Sequence, residues 1–209
     1  MQTTSQDVLI VIDVQNDFCP GGALAVADGD AIIDVIHRLA PRFEHIVLTQ
    51  DWHPPGHRSF ASAHEGKQPF ESVPMPYGEQ TLWPDHCVQG GEGAQFHPKL
   101  QLPQTELLLR KGFRSHIDSY SAFFENDRVT PTGLAGYLRE RNLDRVFLAG
   151  LAYDYCVGYS ALDARRLGMP AVVLQDACRA IDFNGSVERI EAEFAQAGVT
   201  LAMSAELEG

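Results

Sequence analysis

The runs VLIVIDV (Val8 to Val14), HIVLTQD (His45 to Asp51), ELLLRK (Glu106 to Lys111), RVFLAGLA (Arg145 to Ala152) and AVVLQDAC (Ala171 to Cys178) are apolar without alternating, and GVTLAMS (Gly198 to Ser204) is a sixth candidate. A strand with one wet face alternates apolar and polar residues. A continuous Val/Ile/Leu run instead suits a strand covered on both faces, as in a parallel sheet. Parallel neighbours need crossovers, and helical patterns fall between several of the runs: Asp30 to Leu39, Thr132 to Arg141 after Pro131, Val157 to Leu167, and Ser186 to Ala197. The third of these ends at Gly168-Met169-Pro170, a helix stop signal. The pattern predicts an α/β fold in three layers, α/β/α, around a mainly parallel six-stranded sheet.

Length and composition bound the rest. A chain of 209 residues with 44% hydrophobic residues fits one domain with a substantial core. No repeat, low-complexity tract or linker divides it, so residues 1-209 read as a single domain. Its 28 acidic and 16 basic residues give a formal net charge of -12, which repels phosphate backbones and argues against a nucleic-acid partner. No segment approaches the roughly 18 continuous apolar residues of a membrane span. The N-terminus, MQTTSQD, lacks the basic and apolar regions of a secretory signal. Cys19, Cys87, Cys156 and Cys178 form no Cys-x-x-Cys pair and read as free thiols, so the expected compartment is the cytoplasm.

The rhythm breaks between the second and third runs. Residues 51-105 are dense in Pro, Gly, His and Trp with weak periodicity, and insertions of that length are often functional. In open parallel sheets ligands bind beyond the carboxyl ends of the strands. Those ends carry Asp13, then Asp51-Trp52-His53, then Lys111, then the segment Gly150 to Cys156. Cys156 sits where an apolar run passes into a helical pattern. A buried structural cysteine is the competing reading. The helix N-terminus favours a nucleophile: it is expected to lower the thiol pKa and to offer N–H groups to an oxyanion. Asp13 is either a turn group or a base, and Lys111 either a solvated strand end or a cation holding acid and thiol as anions.

A second cluster is DWHPPGH (Asp51 to His57) with WPDHC (Trp83 to Cys87). Asp51 and His53 are two apart, so they project to the same side of an extended chain. With His86 they make two imidazoles and a carboxylate, a set suited to zinc, iron or manganese with positions left open. Surface loop histidines are the alternative, and His37, His45 and His116 read that way. His57, Ser59 and His64 compete as further ligands. No Gly-x-Gly-x-x-Gly follows the first run, where the chain reads QNDFCPGG, so a nucleotide-binding module is disfavoured.

The blocks VIDVQNDFCPGGALAV, TQDWHPPGHRSFAS, WPDHCVQGGEGAQFHP, KGFRSHIDSYSAFF and GLAYDYCVGYSALDARRLG, in this order and spacing, resemble the nicotinamidases of the isochorismatase-like cysteine hydrolases. The resemblance runs from about Asp7 to about Ser204. It implies an enzyme that converts nicotinamide to nicotinate and ammonia in NAD salvage and also hydrolyses pyrazinamide. It implies Cys156 as nucleophile, Asp13 as acid and base, and Lys111 bridging them. Asp51, His53 and His86 would hold one divalent metal ion, taken as zinc with iron or manganese as alternatives. Phe18, Trp83 and Tyr120 would wall the substrate pocket. Ala152 and Cys156 would donate to the oxyanion, with a cis peptide between Leu151 and Ala152. The family's assemblies range upward from monomers, and a homodimer is the working expectation. Two positions depart from the family pattern. Tyr153 stands where many relatives have a small residue or Thr, which puts pocket shape in question. Ser59 falls where some relatives place a fourth histidine ligand.

Overall fold

The structure, a computed structural model, describes residues 1–207. Its elements in chain order are β1 (Asp7–Ile12), α1 (Ile33–Leu39), β2 (His45–Asp51), β3 (Ser72–Met75), β4 (Gly78–Thr81), β5 (Leu107–Lys111), α2 (Leu134–Glu140), β6 (Arg145–Leu151), α3 (Gly158–Arg166), β7 (Ala171–Arg179), α4 (Ser186–Ala197) and β8 (Thr200–Ala202). Six strands form one sheet in the order β5-β2-β1-β6-β7-β8, and every neighbouring pair is parallel. From β1 the chain steps outward to β2 and β5, then returns to β6 on the other flank of β1 and steps outward again. The β1/β6 boundary is therefore the point at which the winding reverses, where open α/β sheets form their crevice.

The continuous apolar runs are explained by both faces being covered. Val8, Ile10 and Ile12 of β1 pack with Leu134 and Leu138 of α2, Ala161 of α3 and Phe194 of α4. Leu9 and Val11 point the other way, into the core that holds Ile33, Ile36 and Leu39 of α1. Three layers result. The edge strand β5 departs from this rule: its residues alternate in burial, and Leu108 is 47% exposed. A strand at the sheet margin has a neighbour on one side only and no helix over its outer face.

Several ends differ from the pattern read in the sequence. β1 stops at Ile12 because Asp13 takes a left-handed φ of 50°. α1 is preceded by a tight turn at Gly29–Ile32, and β8 shrinks to three residues. The segment before α3 is a wide turn, Tyr153–Val157, so Cys156 lies in that turn and not in regular helix. The insertion is not structureless either: β3 and β4 pair as an antiparallel hairpin. The stop at Gly168 is as expected. Gly168 has φ 82°, and the Gly168 and Met169 N–H groups donate to the Arg165 and Ala164 carbonyls, a Schellman end. Among the described residues no helix is long and apolar enough to cross a membrane.

Gly158 opens α3 against α4. A Cβ there would sit 2.5 Å from Ile190 Cγ1 and 2.9 Å from the Tyr153 carbonyl. Gly158→Ala should destabilise the fold by about 1–3 kcal/mol, the usual cost of overpacking, although alanine is the better helix former by about 1 kcal/mol. Urea denaturation measures this, and a stabilised variant would show that α3 and α4 are not in contact there.

Candidate active site

Asp13, Asp51, Lys111 and Cys156 all stand just beyond or at the carboxyl ends of β1, β2, β5 and β6, and they meet. The left-handed turn at Asp13 is held by Thr49: its hydroxyl accepts the Asp13 N–H at 3.2 Å and donates to Asp13 Oδ1 at 2.6 Å. Lys111 is 1% exposed. Its Nζ donates to Asp51 Oδ1 at 2.6 Å and to the Ser119 carbonyl at 2.8 Å, and lies 3.4 Å from Cys156 Sγ. Asp13 Oδ2 is 2.8 Å from Nζ but off the axis of a hydrogen bond, and no other donor is aligned on it among the described residues. The Leu151–Ala152 peptide is cis.

Burial acts on every group here, and neighbouring charge decides the direction. Burial alone would lower the Lys111 pKa, but Asp13 and Asp51 reverse this and hold it well above the ordinary value, so the ammonium is charged. Burial opposes the Asp51 carboxylate, yet Lys111, His53 and His86 outweigh it and hold its pKa below the usual range. For Asp13 burial prevails over Lys111, with Asp51 adding repulsion, and its pKa is raised. Burial also pushes the Cys156 thiol well above its ordinary value; Lys111 opposes this, and Asp13 and Asp51 reinforce it. This reverses the expectation of an acidic thiol. The helix dipole is a smaller effect than complete desolvation beside two carboxylates.

Asp51 links this group to a second. Its other oxygen, Oδ2, lies 3.5 Å from His53 Nε2 and 3.8 Å from His86 Nε2. His53 Nδ1 donates to the Gly112 carbonyl at 2.9 Å, and His86 Nδ1 to the Pro84 carbonyl at 2.8 Å. Both rings are thereby fixed with Nε2 turned toward Asp51, the outer-partner arrangement of metal-binding histidines. His53 Nε2 is buried without a hydrogen-bond partner among the described residues. Burial and the neighbouring His53 push His86 down to about 4, so it is neutral and can serve as a ligand. A divalent ion fits these three residues, whose donor atoms lie within 4.8 Å of one another.

The other candidates separate from this set. His57 is buried beside His53, but Nε2 faces the Arg114 and Ile117 carbonyls and Nδ1 accepts the Ser59 N–H and meets the Ser59 hydroxyl at 2.7 Å. Both its nitrogens are engaged. His64 bonds the Arg58 carbonyl near the surface, His37 accepts the Gln101 N–H, His45 pairs with Glu106, and His116 is exposed. Cys19, Cys87 and Cys178 are buried free thiols, with Cys19 pushed up to about 11 and Cys178 to about 12 by burial. What sets Cys156 apart is therefore not acidity. It alone of the four lines the pocket, and it is the one Lys111 approaches.

That pocket is narrow and is lined by Phe18, Trp83, Tyr120, Ala152 and Cys156 together with Asp51 and His86. Trp83 Nε1 donates to the Tyr120 hydroxyl at 3.1 Å, and Phe18 packs on His86 with ring centres 5.4 Å apart. The sequence profile of the isochorismatase domain matches residues 7–206. The chain belongs to the isochorismatase family. This family member is 54% identical over 199 residues to a nicotinamidase of Acinetobacter baylyi, covering 95% of this chain and 93% of that one. The solved structure of an Acinetobacter baumanii nicotinamidase and pyrazinamidase matches it with a TM-score of 0.97 at 53% identity, covering 98% and 99% of the two chains. A Pyrococcus horikoshii pyrazinamidase in complex with zinc matches with a TM-score of 0.76 at 34% identity, covering 95% and 99%.

Several residues of this isochorismatase-family site carry no signal in the sequence. Tyr155 and Ile181 line the pocket, and Trp83 meets Tyr155 edge-on at 5.0 Å. Asp154 accepts the Ile181 and Asp182 N–H groups and the Ser186 hydroxyl, which ties the β7–α4 loop to the turn bearing Cys156. The Gln15 side chain brackets Asp51, accepting its N–H and donating to its carbonyl, both at 2.8 Å. Tyr153 does not shape the pocket. It packs against Phe194 and donates to Glu191 Oε1 at 3.0 Å on the far side of the turn.

Gly112 is required twice over, by its φ of 67° and by the His53 ring, whose Cε1 would lie 2.5 Å from a Cβ at that position. A crystal structure of Gly112→Ala should show the His53 ring rotated off the Gly112 carbonyl, with less divalent metal bound per chain. An unmoved ring with full metal content would remove Gly112 from the site.

Proposed function

We propose that the chain is a metal-dependent cysteine amidohydrolase of NAD salvage that converts nicotinamide to nicotinate and ammonia and also hydrolyses pyrazinamide. The observation that carries this reading is that Cys156 and Asp51 line a small aromatic pocket while the Lys111 ammonium behind them contacts both, with two histidines fixed beside the shared Asp51. The nicotinamidase relatives support the same substrate.

In this mechanism Cys156 Sγ adds to the carboxamide carbon while its proton passes to Asp13 Oδ2, the oxygen with no aligned donor. Burial raises the pKa of Asp13, which makes its carboxylate a stronger base toward the thiol proton than an exposed aspartate. The oxyanion is received by the Ala152 and Cys156 N–H groups. The C–N bond then breaks as Asp13 returns the proton to the departing ammonia, leaving a thioester. Asp13 next takes a proton from water, whose oxygen adds to the thioester carbon. The C–S bond breaks, nicotinate leaves, and the thiol recovers its proton. Lys111 holds the charge on Asp13 and the sulfur throughout. A divalent ion held by Asp51, His53 and His86, taken as zinc with iron or manganese as alternatives, would supply a Lewis-acidic anchor for the pyridine nitrogen. The zinc complex of the Pyrococcus horikoshii relative supports that choice.

The rest of the reading is a single domain with a metal-binding insertion at about 51-105, assembled as a homodimer in the cytoplasm. The four free thiols suit a reducing compartment, and the charge of -12 disfavours a nucleic-acid partner.

Ammonia release over nicotinamide, pyrazinamide and benzamide, with metal analysis of the same sample, tests the substrate. Benzamide keeps the carboxamide but lacks the ring nitrogen and should be far poorer. Equal kcat/KM for benzamide and nicotinamide would sink the assignment. Cys156→Ala should keep fold and metal and lose ammonia release. Asp13→Asn should lower turnover by about 100-fold or more. Unchanged turnover in Asp13→Asn would take Asp13 out of the reaction.

A further inference from the structure

Asp118 has no part in the mechanism above, yet its carboxylate lines the same pocket and is 2% exposed. Its Oδ1 lies 3.9 Å from His53 Nε2, the buried ring atom that lacks a hydrogen-bond partner among the described residues. Donor atoms of Asp118, His53 and His57 all fall within 4.8 Å of one another, adjoining the Asp51, His53 and His86 group through the shared His53. Two bonds fix the carboxylate. Ser119 N–H donates to Oδ1 at 2.8 Å, and Gln80 Nε2, from β4 of the insertion, donates to Oδ2 at 3.1 Å. Both donors are neutral. Among the described residues no lysine or arginine pairs with Asp118, whereas Asp13 and Asp51 share Lys111. A buried carboxylate without a cation is costly, and such groups are found paired or holding metal.

Asp51 makes the need for a second acid specific. Its Oδ1 is taken by the Lys111 ammonium, so it can offer the histidines one oxygen whose charge is already partly neutralised. Lysine 111 balances one of the three carboxylates Asp13, Asp51 and Asp118. The two that remain match the charge of one divalent ion.

We propose that Asp118 is a positioning residue of the metal centre, whose carboxylate supplies the second negative charge that retains the divalent ion. Gln80 aims it, and the same amide donates to the Tyr120 hydroxyl at 3.0 Å, so the insertion hairpin sets the metal side and the aromatic wall together. This inference rests on the metal-dependent reading above.

The test is competitive titration of metal-free protein with Zn²⁺ and with Mn²⁺ against a chromophoric chelator, alongside melting temperatures with and without metal. Asp118→Asn keeps the shape and an acceptor for the Ser119 N–H. It should weaken metal binding by about 10- to 100-fold, the range for losing an outer partner of a metal ligand, and shrink the metal-induced rise in Tm. Asp118→Ser should show the same loss and serves if the asparagine variant does not fold. A merely structural role would lower the metal-free Tm and leave affinity alone. Metal affinity within about twofold of wild type in either variant overturns the proposal. If wild type itself takes up neither ion, the metal-dependent reading fails first; if wild type binds and the variants match it, only the role of Asp118 fails.

Discussion

The buried ammonium of Lys111 is the interaction on which the site depends. It contacts groups from four other segments: Asp13 after β1, Asp51 at the end of β2, Ser119 in the loop beyond β5, and Cys156, whose Sγ is 3.4 Å away, in the turn before α3. A lysine at 1% exposure is tolerable only with such partners. Removing one member of a buried ion pair typically costs about 3–5 kcal/mol, so the four strand ends are bound to one another energetically as well as by the sheet. Because Asp51 gives one oxygen to Lys111 and turns the other to His53 and His86, the group around Lys111 and the histidine pair share a residue. Neither can shift without the other.

The topology explains why these side chains converge. β1 and β6 are neighbours at the winding reversal, so connections leave their carboxyl ends in opposite directions and open a crevice between them. The left-handed turn at Asp13 points its carboxylate into that crevice, and the wide turn at Tyr153–Val157 brings Cys156 to it from β6. The insertion then closes over the top. The His53 N–H donates to the Cys87 carbonyl and the Cys87 N–H to Asp17, which carries His86 to its place.

Much of this was legible in the sequence because it is local. Continuous Val/Ile/Leu runs report burial on two faces, and the Gly168-Met169-Pro170 stop reports a helix end, so the sheet and four helices could be read directly. The residues at strand ends could be read for the same reason, since a parallel sheet dictates where its ends lie. What could not be read depends on distant parts of the chain meeting. Asp118, Gln80 and Asp154 look like ordinary loop and hairpin residues until the insertion folds over the pocket. Tyr153 put pocket shape in question as a departure from the family pattern, but its side chain turns to Phe194 and Glu191, a direction set by the backbone of a wide turn that periodicity does not reveal. The Cys156 thiol is pushed up and not down because desolvation in the assembled site, which no local pattern reports, outweighs the dipole of the turn that follows β6.

The raised thiol pKa bears on how Cys156, in its proposed role as nucleophile, stays inert until needed. A thiol pushed well above its ordinary pKa is almost wholly protonated near neutrality and reacts slowly with oxidants and electrophiles, whose partner is the thiolate. In the reading proposed here the sulfur need not be ionised beforehand. Its proton moves to Asp13 as the bond to carbon forms, when negative charge passes from sulfur to an oxygen facing N–H donors. Lys111 favours the anion at each stage, and the raised pKa of Asp13 makes it a better acceptor than an exposed aspartate would be. Burial, which opposes a free thiolate, thus works in favour of a concerted transfer. The same desolvation that silences the resting thiol strengthens the interactions that stabilise charge once substrate has filled the pocket.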